Sequence, residues 1–184
     1  MKVEALSIPD VKLVTPQKFG DARGFFSETW QQERFAAVGV PGPFIQDNHA
    51  LSTQRGVLRG LHLQVPPSAQ GKLVRVTRGE AFDAAVDIRR SSPRFGQWFG
   101  AVLSESNRHL LWIPPGFAHG YLALSDEVDF VYKCTDFYAP QHERAIRWND
   151  PTLRVQWPLP AGAVPVLSSK DSVAPAFREA ETYP

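Results

Sequence analysis

Ionisable and amide side chains stand among apolar residues in the stretch GVLRGLHLQVPPSAQGKLVRV, which runs from Gly56 to Val76. A histidine has an ordinary pKa of about 6.5, so His62 can accept a proton near neutral pH. A lone histidine in such a run is commonly a core residue that a backbone carbonyl satisfies. Here Arg59, Gln64 and Lys72 lie close to it in the sequence. Such clustering indicates a polar-lined pocket in which His62 is a candidate general base.

A second histidine, His119, lies in IPPGFAHGYLALS, residues 113–125. Its P-x-G-x-x-H spacing resembles the second motif of the cupin superfamily. Metal-binding cupins usually supply an H-x-H pair and a downstream glutamate from their first motif, because a divalent ion needs three or four protein ligands. In this chain Gln64 stands in place of the second histidine, and the next acidic residue is Glu80. We therefore expect no metal site, which leaves both histidines for proton chemistry or substrate contact.

Three further stretches carry polar groups that are weak signals when each is taken alone. FGDARGFFSETW, residues 19–30, contains Arg23 and Glu28, charges that an ordinary edge strand would also carry. FIQDNH, residues 44–49, offers amides that either read a base or sugar edge or hold a turn. VLSSKDS contains Asp171, which is either a solvated loop charge or a carboxylate that orients a histidine by accepting its ring N–H.

Short strands must position these residues, because 16 prolines and 13 glycines leave little room for long helices. Runs such as KLVRV, AFDAAVDI, HLLWI and VDFVYKC, separated by turn signals, predict a sandwich or barrel. One helix is predicted at TWQQERFAAVG, with Thr29 as N-cap, Gln32 completing a capping box and Gly39 at its end. The part from Ala139 onward has several prolines and predicts a wrapping arm with one or two short helices.

Alternation along the predicted strands sorts the polar groups by face. His62 and Gln64 share one face of their strand, with leucines on the other. Lys72 shares a face with two valines, and Tyr132 shares a face with Phe130. Polar groups mixed into inward faces predict a lined cavity between two sheets rather than a dry core.

Composition limits the class of protein. A chain of 184 residues, 43% hydrophobic and 21% charged, is expected to form one domain over residues 1–184. A net charge of +1 argues against nucleic-acid binding. Cys134 is the only cysteine, which fits a reducing cytoplasm. No signal-peptide pattern or membrane-length apolar run is found, so we expect a cytoplasmic protein without membrane association.

Nine motifs occur in the order and spacing of one family: FGDARGFFSETW, IQDNHALS, GVLRGLHLQ, QGKLVRVTRGEAFDAAVDIR, SPRFGQW, LWIPPGFAHGY, YKCTDFYAP, IRWNDP and LSSKD. From about Pro9 to Asp171 the chain resembles the dTDP-4-dehydrorhamnose 3,5-epimerases. The resemblance implies a cupin-type double-stranded β-helix (jelly roll) with a few short helices. It also implies a homodimer and a cofactor-independent isomerase that acts on dTDP-4-keto-6-deoxy-D-glucose.

The implied reaction matches the residue types. C3 and C5 of a 4-keto sugar both adjoin the carbonyl, so epimerisation needs a base, an acid on the opposite face and a donor near O4. By resemblance His62 is the base, Asp171 its paired carboxylate and Tyr132 the acid. Lys72 stabilises the enolate oxygen, and Arg59 holds the substrate. The ordinary pKa of tyrosine is near 10, and a neighbouring lysine is expected to lower it.

The remaining implied residues bind substrate. Contacts to the dTDP group are implied for Arg23, Glu28, Gln46, Asp47 and Asn48. Phe19 and Phe26 are implied to stack or pack near the thymine, with residues of the N-terminal strands completing the site of the partner subunit. Further substrate contacts are implied for His119, Glu143 and Lys170.

Two positions depart from the family pattern, and three alternative functions stay open. Leu63 stands where an aromatic residue is expected, and Ala50 where serine is common. Neither change removes a proposed catalytic group. A relative that epimerises at C3 or C5 alone would keep the same base and acid. A metal-dependent cupin enzyme and a non-catalytic sugar-nucleotide binding protein are the other two alternatives.

Overall fold

Two antiparallel β-sheets face each other in the computed structural model, which describes residues 1–184. The six-stranded sheet has the order β1 (Lys2–Glu4), β2 (Lys12–Thr15), β10 (Leu110–Ile113), β7 (Lys72–Arg78), β12 (Val128–Cys134) and β5 (Gln46–Ser52). The five-stranded sheet has the order β13 (Glu143–Ala145), β6 (Leu58–Gln64), β11 (Phe117–Ala123), β8 (Glu80–Asp87) and β9 (Trp98–Ser104). The prediction of an all-β jelly roll is confirmed.

Elements outside the two sheets are short. They are the hairpin of β3 (Phe19–Asp21) and β4 (Gly24–Phe26), the helices α1 (Gln32–Ala36) and α2 (Ser169–Ser172), and a 3-10 turn at Pro140–His142. Neither α-helix has the length and apolar character that crossing a membrane requires.

The predicted helix is present, but it begins two residues later than the capping pattern indicates. Gln31 is the N-cap, and its side chain accepts a backbone N–H three residues on at 2.6 Å, so the prediction of Thr29 as N-cap is wrong. The physical reason is packing: Trp30, which precedes the helix, lies against Phe35 within the helix, with ring centroids 4.9 Å apart. Gly39, with a φ of 82°, lies in the turn that ends the helical segment, as predicted.

Apolar side chains form three layers. Val74 and Phe130 belong to the central core between the sheets. Leu61 and Leu63 pack on the outer side of the five-stranded sheet, and Leu73 packs on the outer side of the six-stranded sheet beneath α1. The alternation predicted for β6, β7 and β12 is therefore confirmed, and it leaves the candidate site residues of these strands facing the space between the sheets.

The C-terminal segment wraps the five-stranded sheet, as the proline-rich sequence predicts. It contributes one strand that the sequence did not indicate, β13, which pairs with β6. Leu153 and Phe177 pack against the outer leucines of β6. A backbone bridge between Val57 and Val166 holds the chain beside β6 just before α2. Helix α2 then places Asp171 next to His62.

Two glycines allow β6 and β11 to approach closely where the polar residues lie. A Cβ added at Gly60 would lie 2.6 Å from the Gly120 Cα, and one at Gly120 would lie 2.8 Å from the Arg59 carbonyl oxygen. No side chain fits at such distances. The approach sets His62 and His119 directly opposite each other on neighbouring strands.

The substitution Gly120→Ala is therefore expected to lower the free energy of unfolding by about 1–3 kcal/mol through overpacking against the backbone of β6. Chemical denaturation at fixed protein concentration measures this effect. Gly20→Ala in β3 is the matched control, because its Cβ would meet nothing closer than the Gly24 carbonyl oxygen at 3.6 Å. Equal denaturation midpoints for the two variants would contradict the close approach.

Candidate active site

A cavity of about 440 Å³ opens between the two sheets. Its wall includes all four residues predicted to carry catalysis, and each comes from a different element. His62 lies on β6, Lys72 on β7, Tyr132 on β12 and Asp171 on α2. The jelly roll thus brings together groups that are up to 109 positions apart in the sequence.

His62 and Asp171 form a tight pair at one wall of this cavity. His62 Nε2 lies 2.5 Å from Asp171 Oδ1, and the second carboxylate oxygen accepts a hydrogen bond from the Ser168 hydroxyl at 2.8 Å. Burial by itself raises the pKa of the Asp171 carboxyl, but hydrogen bonds from His62, Ser168 and the Gly60 backbone N–H outweigh it and lower that pKa. Asp171 therefore stays ionised and accepts from Nε2–H, which leaves Nδ1 as the basic nitrogen of His62.

Tyr132 lies on the opposite wall, because β12 belongs to the other sheet. Burial raises the pKa of its phenol to about 12. The expectation that a neighbouring lysine lowers this pKa is wrong, because loss of solvent dominates and Lys72 Nζ lies 5.9 Å from the Tyr132 ring centroid. Burial also lowers the pKa of the Lys72 ammonium group. The phenol is a protonated donor at neutral pH, and Lys72 lies on the same wall.

His119 belongs to a second histidine–carboxylate pair beside the first. Its Nε2 lies 2.8 Å from Oδ2 of Asp83, a fully buried residue of β8 whose other oxygen, Oδ1, has no hydrogen-bond partner. The role of Asp83 was not predicted from the sequence. The available signal was its parity: Asp83 shares the inward face of β8 with Ala85, which belongs to the central core.

Arg59 links the two sheets at one side of the cavity. Its Nη2 donates to the Leu51 carbonyl oxygen at 3.1 Å, so a residue of β6 contacts the edge strand β5 of the other sheet. Next to it the Tyr121 hydroxyl lies 3.2 Å from Ser52 Oγ, which makes a second contact between the sheets. Tyr121 also lines the cavity and stacks on Phe130, with ring centroids 4.0 Å apart.

The cavity mouth carries Tyr138, Glu143 and Lys170. The Tyr138 hydroxyl donates to Glu143 Oε2 at 2.9 Å, and the Lys170 ammonium donates to the same oxygen. Burial opposes ionisation of Glu143, but the bonds from Lys170 and Tyr138 outweigh it and lower the carboxyl pKa. Tyr138 was not predicted, and neither pattern nor spacing singles it out, since it is a loop residue.

An adjoining cavity of about 340 Å³ shares Tyr138 and the catalytic candidates of β6, β7 and β12 with the first cavity, and it adds Gln46, Asn48 and Gln64. Gln46 Nε2 donates to Asn48 Oδ1 at 3.1 Å. Gln64, which stands at the position of a cupin metal ligand, uses its amide on backbone groups of two loops. No group of three or more His, Cys, Asp or Glu side chains is placed to hold a metal ion.

Five of the predicted nucleotide contacts lie away from the His62 cavity of their own chain: Phe19, Arg23, Phe26, Glu28 and Asp47. The first three belong to the exposed β3–β4 hairpin, where Phe19 pairs with Phe26 and Arg23 contacts Asp21. Glu28 pairs with Arg34, and Asp47 pairs with Lys133 on the outer face of the six-stranded sheet. Their contacts to nucleotide therefore stay predictions.

Ser168 is a further site residue that was not predicted from the sequence. It caps α2 by accepting the Asp171 backbone N–H at 3.1 Å, and its hydroxyl donates to the Asp171 carboxylate. The signal was present as an S-x-x-D pattern, the acidic variant of a capping box. Ser168 thus fixes both the backbone and the side chain of the carboxylate that holds His62.

The arrangement is suited to proton transfer on two faces of one bound molecule. A base backed by a carboxylate stands on one wall, and a protonated phenol stands on the other. Lys72 and His119 line the same cavity, where Lys72 can donate N–H groups to an oxygen of a bound molecule. Such a set can remove a proton beside a carbonyl and return one from the opposite side.

Comparisons with known proteins agree with this geometry. Residues 5–179 match the family model described as dTDP-4-dehydrorhamnose 3,5-epimerase. The Pseudomonas aeruginosa protein of that name is 56% identical over 185 aligned positions, which cover 100% of both chains. A Legionella pneumophila epimerase solved with dTDP-4-keto-L-rhamnose has a TM-score of 0.91 at 47% identity, covering 97% of this chain and 93% of that one.

A structure with a different specificity is also similar. A 3′-monoepimerase from Streptomyces bikiniensis, solved with dTDP-quinovose, has a TM-score of 0.86 at 34% identity, covering 94% of this chain and 86% of that one. Its identity to this chain is lower than that of the two proteins above. The match of residues 5–179 to the family model and the full-length identity to a curated relative lead to one conclusion: the chain belongs to the dTDP-4-dehydrorhamnose 3,5-epimerase family.

Proposed function

We propose that the chain epimerises dTDP-4-keto-6-deoxy-D-glucose at C3 and C5, giving dTDP-4-keto-L-rhamnose for deoxysugar biosynthesis. The observation that carries this proposal is the placement of the His62–Asp171 pair and the protonated Tyr132 on facing walls of one cavity. The matched relatives named 3,5-epimerases support the same reaction. We propose that the reaction needs no cofactor, because proton transfer beside an existing ketone changes no oxidation state.

In the proposed mechanism, His62 Nδ1 removes the proton from the carbon next to the ketone. The ionised Asp171 stabilises the imidazolium that forms, as a carboxylate does in other histidine pairs. Negative charge develops on the sugar oxygen O4. Tyr132 then donates its proton to the opposite face of the carbon, and the configuration inverts. His62 then releases its proton to solvent and Tyr132 regains one from solvent, and repetition at the second carbon beside the ketone completes the reaction.

The enolate oxygen needs fixed donors in a site that excludes water. Lys72 is proposed to meet it with an ammonium group whose pKa is lowered by burial. His119 is proposed to contact the substrate with a ring that Asp83 orients through Nε2. Arg59, Glu143 and Lys170 are proposed to hold the remainder of the substrate, since they stand around the cavity wall. Lys72 would thus stabilise a negative charge on O4 that exists only after the proton has been removed.

The thymidine half is proposed to lie across the adjoining cavity and a partner subunit in a homodimer. Gln46 and Asn48 offer amide groups in that cavity. The hairpin residues Phe19 and Phe26 are 56% and 68% exposed, and Arg23 extends from the hairpin tip. Exposed aromatic rings on a projecting hairpin support a role in completing the site of a second copy.

We also propose a cytoplasmic location. Cys134, the one cysteine of the chain, is free and buried. Free thiols of this kind are usual where the compartment is reducing.

Proton NMR of the proposed substrate in D2O tests the reaction and its two main residues. The intact enzyme is expected to exchange and invert both C3 and C5. His62→Ala should lose exchange and inversion by about 10²–10⁴-fold, because the base is absent. Tyr132→Phe should still exchange, since His62 can return a deuteron to the same face, but should no longer invert. Exchange at one carbon alone would instead support a single-site epimerase, and none would contradict the enzymatic proposal.

Ser168→Ala is expected to lower kcat about tenfold with little change in KM, because one charge-assisted hydrogen bond to the Asp171 carboxylate is lost. The same loss raises the pKa of Asp171, so the acid limb of the pH–rate profile should move to higher pH. Ser168→Thr keeps the hydroxyl and should restore most of the activity. Equal impairment of both variants, or an unshifted profile, would contradict this positioning role.

Mixed dimers test whether the hairpin serves the partner subunit. Arg23→Ala and His62→Ala should each be poorly active alone. Co-expressed, they should recover about a quarter of wild-type turnover, since half the dimers are mixed and one of the two sites in each is intact. If the hairpin served its own chain, every site would contain one defect and no recovery would occur.

A further inference from the structure

Four consecutive residues of the loop after β12 have a backbone group held by a glutamine side chain. Gln70 Nε2 donates to the Asp136 carbonyl oxygen at 2.7 Å, and Gln64 Nε2 donates to the Phe137 carbonyl oxygen at 3.2 Å. The Tyr138 N–H donates to Gln46 Oε1, and the Ala139 N–H donates to Gln64 Oε1, both at 2.9 Å. We call these three side chains, Gln46, Gln64 and Gln70, the glutamine clasp.

The clasp lies on the wall of the adjoining cavity, and its centre is Gln64. Gln64 is 7% exposed, and it is the only clasp member that holds two residues of the loop, one on each side of Tyr138. A third bond, from Nε2 to the Ser68 carbonyl oxygen at 2.6 Å, ties the clasp to the loop between β6 and β7. The Gln64 amide therefore uses both its oxygen and its nitrogen on backbone groups.

The loop presents Tyr138 between the two cavities. Tyr138 lines both of them, together with His62, Lys72, Tyr132 and Glu143, and 55% of its surface is exposed. The hydroxyl is directed by its bond to Glu143 Oε2. Without the clasp, a half-exposed ring on a loop would have to be ordered by the substrate, at the expense of binding free energy.

We propose that Gln64 and Gln70 are positioning residues that fix Tyr138 in the wall shared by the sugar cavity and the adjoining cavity, where it contacts the substrate spanning the two. The inference rests on the proposed function, because it assigns the two cavities to one sugar nucleotide. It gives Gln64 a task distinct from metal binding. Gln46 contributes to the same clasp through the Tyr138 N–H.

A double-mutant cycle separates positioning from a general effect on folding. Gln64→Met keeps the length of the side chain and removes its hydrogen bonds, and Tyr138→Ala removes the ring. Each is expected to raise KM about tenfold, with kcat within about threefold of wild type. The double variant should be no worse than Tyr138→Ala alone, because Gln64 acts through Tyr138. Gln156→Met is the control for the same replacement at an exposed site, where it removes a single bond, to the Arg154 carbonyl oxygen, and should leave KM unchanged.

Multiplied effects in the double variant, or an unchanged KM for Gln64→Met, would overturn the proposal. If Gln64→Met does not fold, Gln70→Met carries the same cycle, because it removes only the bond to Asp136. Calorimetric binding of dTDP to the four proteins is expected to follow the same non-additive pattern. Absence of turnover by the wild type would contradict the proposed function, whereas the dTDP cycle would still decide whether the glutamines act through Tyr138.

Discussion

Two carboxylates are buried between the two sheets, and each needs a fixed partner because an isolated charge in a protein interior is costly. Asp171 is 3% exposed and Asp83 is fully buried, and each carboxylate meets the Nε2 atom of a histidine. The two histidines are direct neighbours on β6 and β11, which approach closely at Gly60. Helix α2 must therefore lie beside His62 of β6, and the C-terminal arm must wrap the five-stranded sheet to bring it there.

The two sheets divide the chemistry between them. The five-stranded sheet supplies the paired histidines, whereas the six-stranded sheet supplies Tyr132 and Lys72. The gap between the sheets keeps base and acid on opposite sides of whatever molecule enters. Burial raises the pKa of the phenol and lowers that of the ammonium, so one environment favours the neutral form of both groups. Regular strands hold the reacting groups, and loops with side-chain hydrogen bonds form the mouth.

Several structural features could be predicted from the sequence because they depend only on neighbouring residues. Alternation in β6, β7 and β12 placed His62, Lys72 and Tyr132 on inward faces, because successive strand residues point to opposite faces whatever the partner strand is. The helix start was misjudged, since local capping patterns do not register that Trp30 packs against Phe35. The capping pattern around Ser168 was local and readable, yet its second bond, to a carboxylate that holds a histidine, depends on where α2 docks.

The sequence by itself determined the residue types, their faces and the family resemblance, because these depend on neighbours along the chain and on matched motifs. Only the tertiary structure decided which groups meet: Asp83 with His119, the Tyr138 loop with the glutamine clasp, and the separation of the exposed hairpin from its own cavity. It also reversed the expected direction of the Tyr132 pKa shift. The physical reason is that hydrogen bonding and loss of solvent depend on distances between residues far apart in sequence, which alternation and spacing do not specify.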